Sequence, residues 1–527
     1  MGLWSDKCAY ISYYVFHIVY VCEMVEQKLL TLSILTFVDL FKFVAFMAKL
    51  FVFGIGGSGA RVLRALTMFL ASGVKVGVDK IVPIIIDPDE ANADLTRTVT
   101  LMNRYRDINN AVKYGSPKDK SRADEREFFF QTNMEVSGSG NYKLQIEDTS
   151  NKTFEEFIGF SSMSSANQAI TRMLFSDKNL EASMQVGFKG NPNIGSVVLN
   201  QLAYSEGFNS FASEFAQGDK IFIVSSIFGG TGASGFPLLL KTLREGSLCP
   251  NYALLKSAPI GAVTILPYFK IEQDVESAID STTFLSKARS ALSYYQRNLG
   301  GERGVDAHYF LADEARKTYE NHEGGSAQRN NAHLIEMLAA TAIVDFSNYQ
   351  PDEFQQGTKY YELGVKDNPQ SSTIRFDSFY DDLHEMIYEP LVRFRLMANA
   401  LTDNYKAIYS TQRVNANLTH FSDMLDSAFM RDLRSFLELY KQWTDEMEDN
   451  DRKLKLFETT DMNKPFEFVS GVKPKKSRWW QLKKNHEFII DQLNTAVNQC
   501  ASSETRGKYL EMFYRVTKQL VEDKLVL

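Results

Sequence analysis

A glycine-rich segment between a buried strand and a helix constrains this chain more than any other feature. The apolar run Ile221–Ile227 predicts a strand, Phe236–Leu243 predicts a helix, and residues 228–235 between them read Phe-Gly-Gly-Thr-Gly-Ala-Ser-Gly. Glycines at such a junction let backbone N–H groups approach phosphate oxygens, and the helix N-terminus adds positive potential. Residues 228–235, called glycine loop 2 below, therefore predict a phosphate-binding turn.

A second glycine-rich turn lies earlier in the chain. Residues 54–59 read Gly-Ile-Gly-Gly-Ser-Gly; they follow the apolar run Leu50–Phe53 and precede a helical pattern that ends near Gly73. This segment, glycine loop 1, fits GxGxxG, although glycines also serve tight strand–helix turns. Neither loop contains the lysine of a GK[ST] phosphate loop. Two such turns at the carboxyl ends of parallel strands can face one ligand.

The order of the other elements predicts the fold class. Strands alternate with helices as far as the apolar helix 332–346, which predicts an α/β fold with a doubly wound parallel sheet. Beyond about residue 375 the pattern is mainly helical. Three further strands are predicted at 81–86, 260–266 and 308–311, and four C-terminal helices at 380–402, 421–448, 485–500 and 505–524.

Changes in composition predict the domain boundaries. We assign residues 47–350 to a nucleotide-binding domain with a polar insertion at about 103–180, and 351–527 to a helix-rich C-terminal domain. Residues 1–46 form an apolar extension before Met47, which suggests a misplaced start; a membrane-contacting segment is the alternative. Neither apolar run of this extension reaches the roughly 18–20 residues that a membrane span needs.

Composition excludes several classes of protein. The chain has 527 residues, 44% hydrophobic and 23% charged, so it can bury a large core and is not mainly disordered. Its net charge of −7 gives no general attraction to nucleic acid. Four cysteines without CxxC spacing and seven histidines without HExxH predict no protein metal site and no disulfide scaffold.

These motifs resemble the tubulin/FtsZ superfamily of GTPases over roughly residues 47–347. The sequence Gly229-Gly230-Thr231-Gly232-Ala233 is similar to the signature loop of that family, with Phe228 and Ser234 departing from its flanks. Gly190-Asn191-Pro192-Asn193-Ile194-Gly195 is similar to the string that reaches the terminal phosphate, and Asp87-Pro88-Asp89 to the acidic loop after the second strand.

The resemblance implies a set of nucleotide contacts. Glu272 would contact the ribose, Glu336 would accept hydrogen bonds from guanine, and Asp89 would lie near Mg²⁺. A structural pair with Arg or Lys is the alternative for Glu336, and an Asx turn is the alternative for Asp89. The implied contacts are Gly56, Gly57, Ser58, Asp89, Gly190, Asn191, Gly229, Gly230, Thr231, Gly232, Ala233, Glu272 and Glu336.

The resemblance further implies a cytoplasmic GTPase that binds GTP or GDP with Mg²⁺ and self-associates into filaments. The catalytic residues are unknown, because Asp345, Asp352 and Glu353 all lack the spacing of the family's acidic loop. Asp313 falls near the position of the base-reading Asn, which leaves the preference for guanine open. An NAD(P)-dependent Rossmann oxidoreductase and a nonhydrolysing tubulin-like scaffold are the alternatives.

The C-terminal region carries the one cluster of basic and aromatic residues. It could bind an acidic partner, anionic lipid or nucleic acid, or be a solvated loop whose tryptophans pack on the helices. We expect no nucleic acid, and a protein partner of unknown identity through this region. The cluster comprises Lys473, Lys475, Lys476, Arg478, Trp479, Trp480, Lys483 and Lys484.

Overall fold

A seven-stranded parallel sheet forms the centre of the fold. Its strand order is β3-β2-β1-β4-β5-β7-β9, and every neighbouring pair is parallel. Two smaller parallel pairs, β6–β8 and β10–β11, lie outside it. The strands are β1 Lys49–Ile55, β2 Lys80–Ile86, β3 Asn133–Met134, β4 Lys220–Ser226, β5 Ile260–Ile265, β6 Lys270–Ile271, β7 Ala307–Leu311, β8 Thr318–Tyr319, β9 Lys359–Glu362, β10 Thr373–Ile374 and β11 Lys453–Leu454.

Helices follow most strands of the large sheet and dominate the C-terminal region, which confirms the predicted fold class. They are α1 Gly56–Ser72, α2 Ala93–Ala111, α3 Phe154–Phe157, α4 Ser165–Leu174, α5 Asp177–Leu180, α6 Pro192–Leu199, α7 Glu206–Glu214, α8 Gly230–Glu245, α9 Tyr252–Ser257, α10 Ser281–Asn298, α11 Leu334–Asn348, α12 Asp381–Thr402, α13 Ala428–Glu448, α14 Asn485–Ala496 and α15 Thr505–Lys524. Short 3₁₀ turns lie at Phe160–Ser162, Leu202–Tyr204, Phe376–Ser378 and Val497–Gln499.

This computed structural model describes part of the chain. The described residues are 48–89, 92–112, 128–138, 140–147, 149, 151–184, 187–188, 190–246, 249–271, 281–299, 304–314, 318–319, 325, 329–350, 353, 357–366, 372–402, 427–459, 466–475, 485–500, 502 and 504–525. The predicted extension 1–46, Glu272, Asp352 and the basic-aromatic cluster beyond Lys475 lie outside them. No helix among the described residues is long and apolar enough to cross a membrane.

The sheet separates two hydrophobic cores. Because successive side chains of a strand point to opposite faces, Leu50 and Val52 pack on one side of β1, and Phe51, Phe53 and Ile55 pack on the other. The first core includes side chains of α1, α2, α11 and the C-terminal helices. The second core includes side chains of α6–α10. Strands covered on both faces explain the continuous apolar runs of the sequence.

The strand order places both glycine loops at one point of the sheet. β1 lies between β2 and β4, so the chain runs from β1 toward one edge and later continues from β4 toward the other. This reversal is the switch point at which ligands bind in open parallel sheets. Glycine loop 1 follows β1, and glycine loop 2 follows β4. The two loops therefore lie next to each other at the carboxyl ends of the adjacent strands β1 and β4.

Two predicted boundaries differ from the structure. α2 extends to Ala111 and buries Tyr105 and Ile108, so the stretch from 103 belongs to the main fold rather than to an insertion. The C-terminal helices do not form a separate core: Trp443 of α13 packs against Phe69 of α1, with ring centroids 6.4 Å apart. The contact between Trp443 and Phe69 joins residues distant in sequence, which composition cannot reveal.

A candidate phosphate-binding site

The two glycine loops touch each other at the switch point. Gly56 has φ +71°, and a Cβ built on it would lie 3.5 Å from the Cβ of Thr231 and 3.9 Å from the backbone nitrogen of Gly232. Its left-handed conformation requires glycine, since other residues adopt it at a cost. A side chain at Gly56 would therefore add strain to this junction between the loops.

A third loop joins them from the start of α6. A Cβ built on Gly230 would lie 3.0 Å from the backbone nitrogen of Asn191 and 3.2 Å from that of Gly190. Gly190 has φ +70°, which again favours glycine. The structure thus brings together the segments 56–58, 190–191 and 229–233, which the sequence resemblance implied as phosphate contacts.

Three helices begin at these loops without a side-chain cap. The N-cap residues are Ile55 for α1, Asn191 for α6 and Gly229 for α8, and none makes a side-chain capping bond. The first N–H groups of a helix have no partner within the helix, so they need water, a cap or a ligand. The nearby α2 differs, because the side chain of Asn92 accepts from the amides of Asp94 and Leu95. Three uncapped N-termini around one space make a cradle for an anion.

The acidic loop after β2 approaches this cradle. Asp89 is 3% exposed and accepts a 2.7 Å hydrogen bond from the amide of Gly325. A Cβ built on Gly187 would lie 4.0 Å from the Cβ of Asp89. The acidic loop therefore lies beside the residues that precede α6, which are called the α6 segment below. The side chain of Asp87 accepts from the amide of Asp89, so Asp87 rather than Asp89 forms the Asx turn of this loop. Burial raises the pKa of Asp87 to about 7.

A metal ion would have few protein ligands here. Among the described residues, no three His, Cys, Asp or Glu side chains gather into a metal site. Mg²⁺ commonly binds through one or two carboxylates together with substrate phosphates and water. Asp89 fits such a role as a single buried carboxylate beside the cradle.

A buried network of charges lies beneath glycine loop 1, and the sequence analysis missed it. Arg61 of α1 donates from Nε to Glu336 over 2.5 Å, from Nη1 to Asp94 over 3.2 Å and from Nη2 to the hydroxyl of Tyr268 over 3.0 Å. All four side chains are buried. The available signal was an arginine on an otherwise apolar helix face, because a buried charge requires a partner.

This network gives Glu336 the structural partner that the sequence left as an alternative. Besides Arg61, its carboxylate accepts from the hydroxyl of Tyr268 and from the backbone amide of His333. Asp313 also lies in an ion pair, with Arg452, and its side chain is 2% exposed. The contact between Glu336 and guanine stays a prediction, and it would require a base edge to enter this bonded arrangement.

Two candidate acids for hydrolysis, Asp345 and Glu353, lie toward the amino ends of the strands, at the end of the sheet opposite the cradle. Lys220, at the amino end of β4, donates to the carbonyls of Ser347 and Tyr349 at the end of α11. In the same helix end, Asp345 accepts from the hydroxyls of Tyr309 and Tyr349 over 2.6 and 3.1 Å. Glu353 accepts from the amide of Gln350. None of these carboxylates reaches the cradle of its own chain.

Comparison with known proteins gives a distant structural likeness. No protein-family model and no curated protein matches the chain. Among solved structures it is similar to a W319Y mutant of FtsZ from M. jannaschii, with TM-score 0.26, 15% identity, and 52% of this chain and 50% of that one covered. It is also similar to CetZ2 from Haloferax volcanii, in a GTPγS-bound protofilament, with TM-score 0.24, 16% identity and coverages of 50% and 49%.

A third match is CetZ from Methanosaeta thermophila strain DSM 6194, with TM-score 0.21, 14% identity and coverages of 57% and 51%. The chain thus spans about half the length of the solved structures it matches. FtsZ is the family that the sequence motifs resemble. At TM-scores this low the likeness carries no argument about function, so the site is interpreted from its own geometry.

Proposed function

We propose that this protein binds a guanine nucleotide, GTP or GDP with Mg²⁺, in the cradle of glycine loops 1 and 2 and the α6 segment. The observation that carries the proposal is the convergence of three uncapped helix N-termini, at Ile55, Asn191 and Gly229, on one space. A polyphosphate would accept hydrogen bonds from backbone N–H groups at these helix N-termini. Guanine is proposed from the resemblance of the sequence motifs.

The proposal extends to slow hydrolysis of GTP and to self-association. An attacking water must be oriented by a carboxylate or amide over the terminal phosphate. The acids near the end of α11 lie at the far edge of the sheet, so they could serve only the cradle of another copy stacked head to tail. In this proposal the cytoplasmic protein self-associates into filaments and hydrolyses GTP slowly, with little dependence on assembly.

One observation favours a nonhydrolysing scaffold as the second candidate. Asp345 is already bonded by two tyrosine hydroxyls, and the amide of Gln350 bonds Glu353. Neither carboxylate is poised to accept a proton from water. A scaffold would bind the nucleotide and change shape with it, without turning it over.

The nucleotide that co-purifies with the chain tests the proposal. The protein is denatured in acid and the released small molecules are separated by chromatography. GTP or GDP at near-stoichiometric amount supports the proposal, NAD would support a dinucleotide oxidoreductase, and absence of any nucleotide, together with no GTP binding by calorimetry, would refute it. The strand order alone does not separate these classes, because dinucleotide-binding folds share it.

Hydrogen exchange tests the placement of the terminal phosphate. We expect the amides of Gly190 and Asn193 to exchange more slowly with a nonhydrolysable GTP analogue than with GDP, because the α6 N-terminus would bind the additional phosphate. The amides of Tyr252–Ser257, in a helix that does not border the cradle, serve as the internal control. Equal protection by both nucleotides would contradict the assignment.

A further inference from the structure

A cleft between α8 and α10 lies beside glycine loop 2, whose Ala233 and Ser234 form part of its lining. Its volume is about 810 Å³, in the range of about 300–1,000 Å³ of small-molecule sites. One wall is α8, through Pro237, Leu238 and Lys241, and the other is α10, through Lys287 and Ala291. The cleft is large enough for an organic molecule of more than one ring.

The walls combine aromatic and apolar surface. Tyr295 is 5% exposed and donates a long hydrogen bond of 3.5 Å to the carbonyl of Ala233, so its ring is fixed. Tyr294 is 50% exposed at the mouth, and Leu238 and Ala291 add apolar surface between the helices. The half-exposed ring of Tyr294 provides stacking surface for a planar ligand, and the buried ring of Tyr295 supports the wall behind it.

The charge of the lining is positive. Lys241, Arg244 and Lys287 face one acid, Glu245, among the residues that line the cleft. Arg244 is occupied structurally, since it donates to the carbonyls of Gly304, Lys256 and Ala258 and pairs with Asp306. Lys241 is exposed. The ammonium of Lys287 donates a 2.8 Å hydrogen bond to the carbonyl of Gly190. An ammonium has three N–H groups, so it can donate more than one hydrogen bond. The two lysines therefore favour an anionic group at the cleft.

We propose that the cleft between α8 and α10 binds an aromatic organic anion. The ring lies against the tyrosines and Leu238, and the anionic group lies between Lys241 and Lys287. The cleft adjoins the cradle, since Asn191, Asn193, Ala233 and Ser234 line it, but its cationic part at Lys241 and Lys287 lies outside the cradle. The inference does not depend on the proposed function, because none of its cationic residues belongs to the cradle.

Titration of the full chain with the fluorescent probe 8-anilinonaphthalene-1-sulfonate, an aromatic sulfonate, tests the proposal. We expect Ala291→Trp, which fills the cleft with an indole, to weaken probe binding at least about tenfold, equivalent to about 1.4 kcal/mol. Lys241→Glu reverses the charge of an exposed residue, which keeps the fold, and we expect about fivefold weaker binding. Its matched control is Lys256→Glu, an exposed lysine of α9 outside the cleft.

The probe also detects apolar surface elsewhere, so a second control is required. Met173 of α4 is 86% exposed and does not line the cleft, so Met173→Gln removes apolar surface outside it. We expect this variant and Lys256→Glu to bind the probe as the parent chain does. Unchanged affinity in Lys241→Glu and in a folded Ala291→Trp, or equal losses in Lys241→Glu and Lys256→Glu, would overturn the proposal.

Discussion

The cradle and the two ends of α11 satisfy their polar groups in opposite ways. At the cradle, α1, α6 and α8 begin without a side-chain cap, so backbone donors are left for water or a ligand. At α11 the acidic side chains are already bonded: Glu336 pairs with Arg61, and Asp345 accepts from two tyrosines. The difference suggests that the first region is built to bind and the second to hold the fold together.

Blocking the cradle gives the largest expected effect. Gly230→Val would place a branched side chain within about 3 Å of the backbone nitrogen of Asn191, so it would exclude a phosphate from these amides. Losing two charge-assisted hydrogen bonds at roughly 1.5–3 kcal/mol each abolishes measurable binding. Calorimetric titration with GTP measures the effect.

A matched glycine provides the control for that experiment. A Cβ built on Gly364 would meet no atom within 4 Å, so Gly364→Val should bind GTP like the parent chain. Unchanged affinity for GTP in folded Gly230→Val would remove the cradle from the nucleotide site.

Removing Arg61 from the buried network should lower the stability of the fold. Arg61→Met leaves Glu336 buried without its charge partner and leaves Asp94 paired only with Arg97, which we expect to lower the free energy of unfolding by about 3–5 kcal/mol. The control is Lys366→Met, because the pair of Lys366 with Asp381 is exposed and contributes less than about 1 kcal/mol. Urea unfolding measures both; equal small losses would show that the network is not structural.

Hydrolysis should be slow and nearly independent of protein concentration. The acids near the end of α11 are bonded or lack the family spacing, and a misplacement of about 1 Å can cost on the order of 100-fold in rate. Phosphate release is measured over a wide range of concentrations. A steep rise in specific activity that is lost in the double variant Asp352→Ala/Glu353→Ala would show that assembly completes an active site there.

The smallest expected effect concerns Asp87 beside the cradle. Burial raises its pKa from 3.8 to about 7, and the folded protein therefore holds a proton that the unfolded chain releases. Stability should fall as pH rises from about 4 to 7, by about 1–2 kcal/mol for a partly exposed group. In Asp87→Asn this part of the pH dependence should disappear, as measured by thermal unfolding at several pH values. An unchanged profile would contradict the assignment.

The same comparison explains what could be predicted from the sequence. The glycine loops and strands depend on neighbouring residues, so apolar runs and turn residues located β1 and β4 within two positions, whereas α8 begins at Gly230, six residues before the predicted helix. The pairing of Arg61 with Glu336 joins residues 275 apart, and no local pattern specifies which acid an arginine will meet.

The boundaries of the nucleotide-binding domain were harder to predict, because they too depend on contacts between residues distant in sequence. Residues 103–111 look polar and irregular, but their helix buries Tyr105 against Phe436 of the C-terminal region. The composition of such a helix includes the polar residues of its exposed face, which obscure the few apolar residues that are buried. Helices of the C-terminal region likewise complete the core of the first sheet face, which is visible only once the chain is folded.

Because β1 pairs with β4, the cradle cannot form during synthesis until the ribosome has made β4 and glycine loop 2. The amide of Lys49, at the start of β1, donates to Asp219, 170 residues later, just before β4. At about 5–20 residues per second, the ribosome needs about 10–35 s to make the intervening chain. Through that interval β1 has no β4 beside it and glycine loop 1 has no opposing loop. Closing so long a connection makes folding slow, so the nascent chain exposes an apolar strand edge that a chaperone would have to cover.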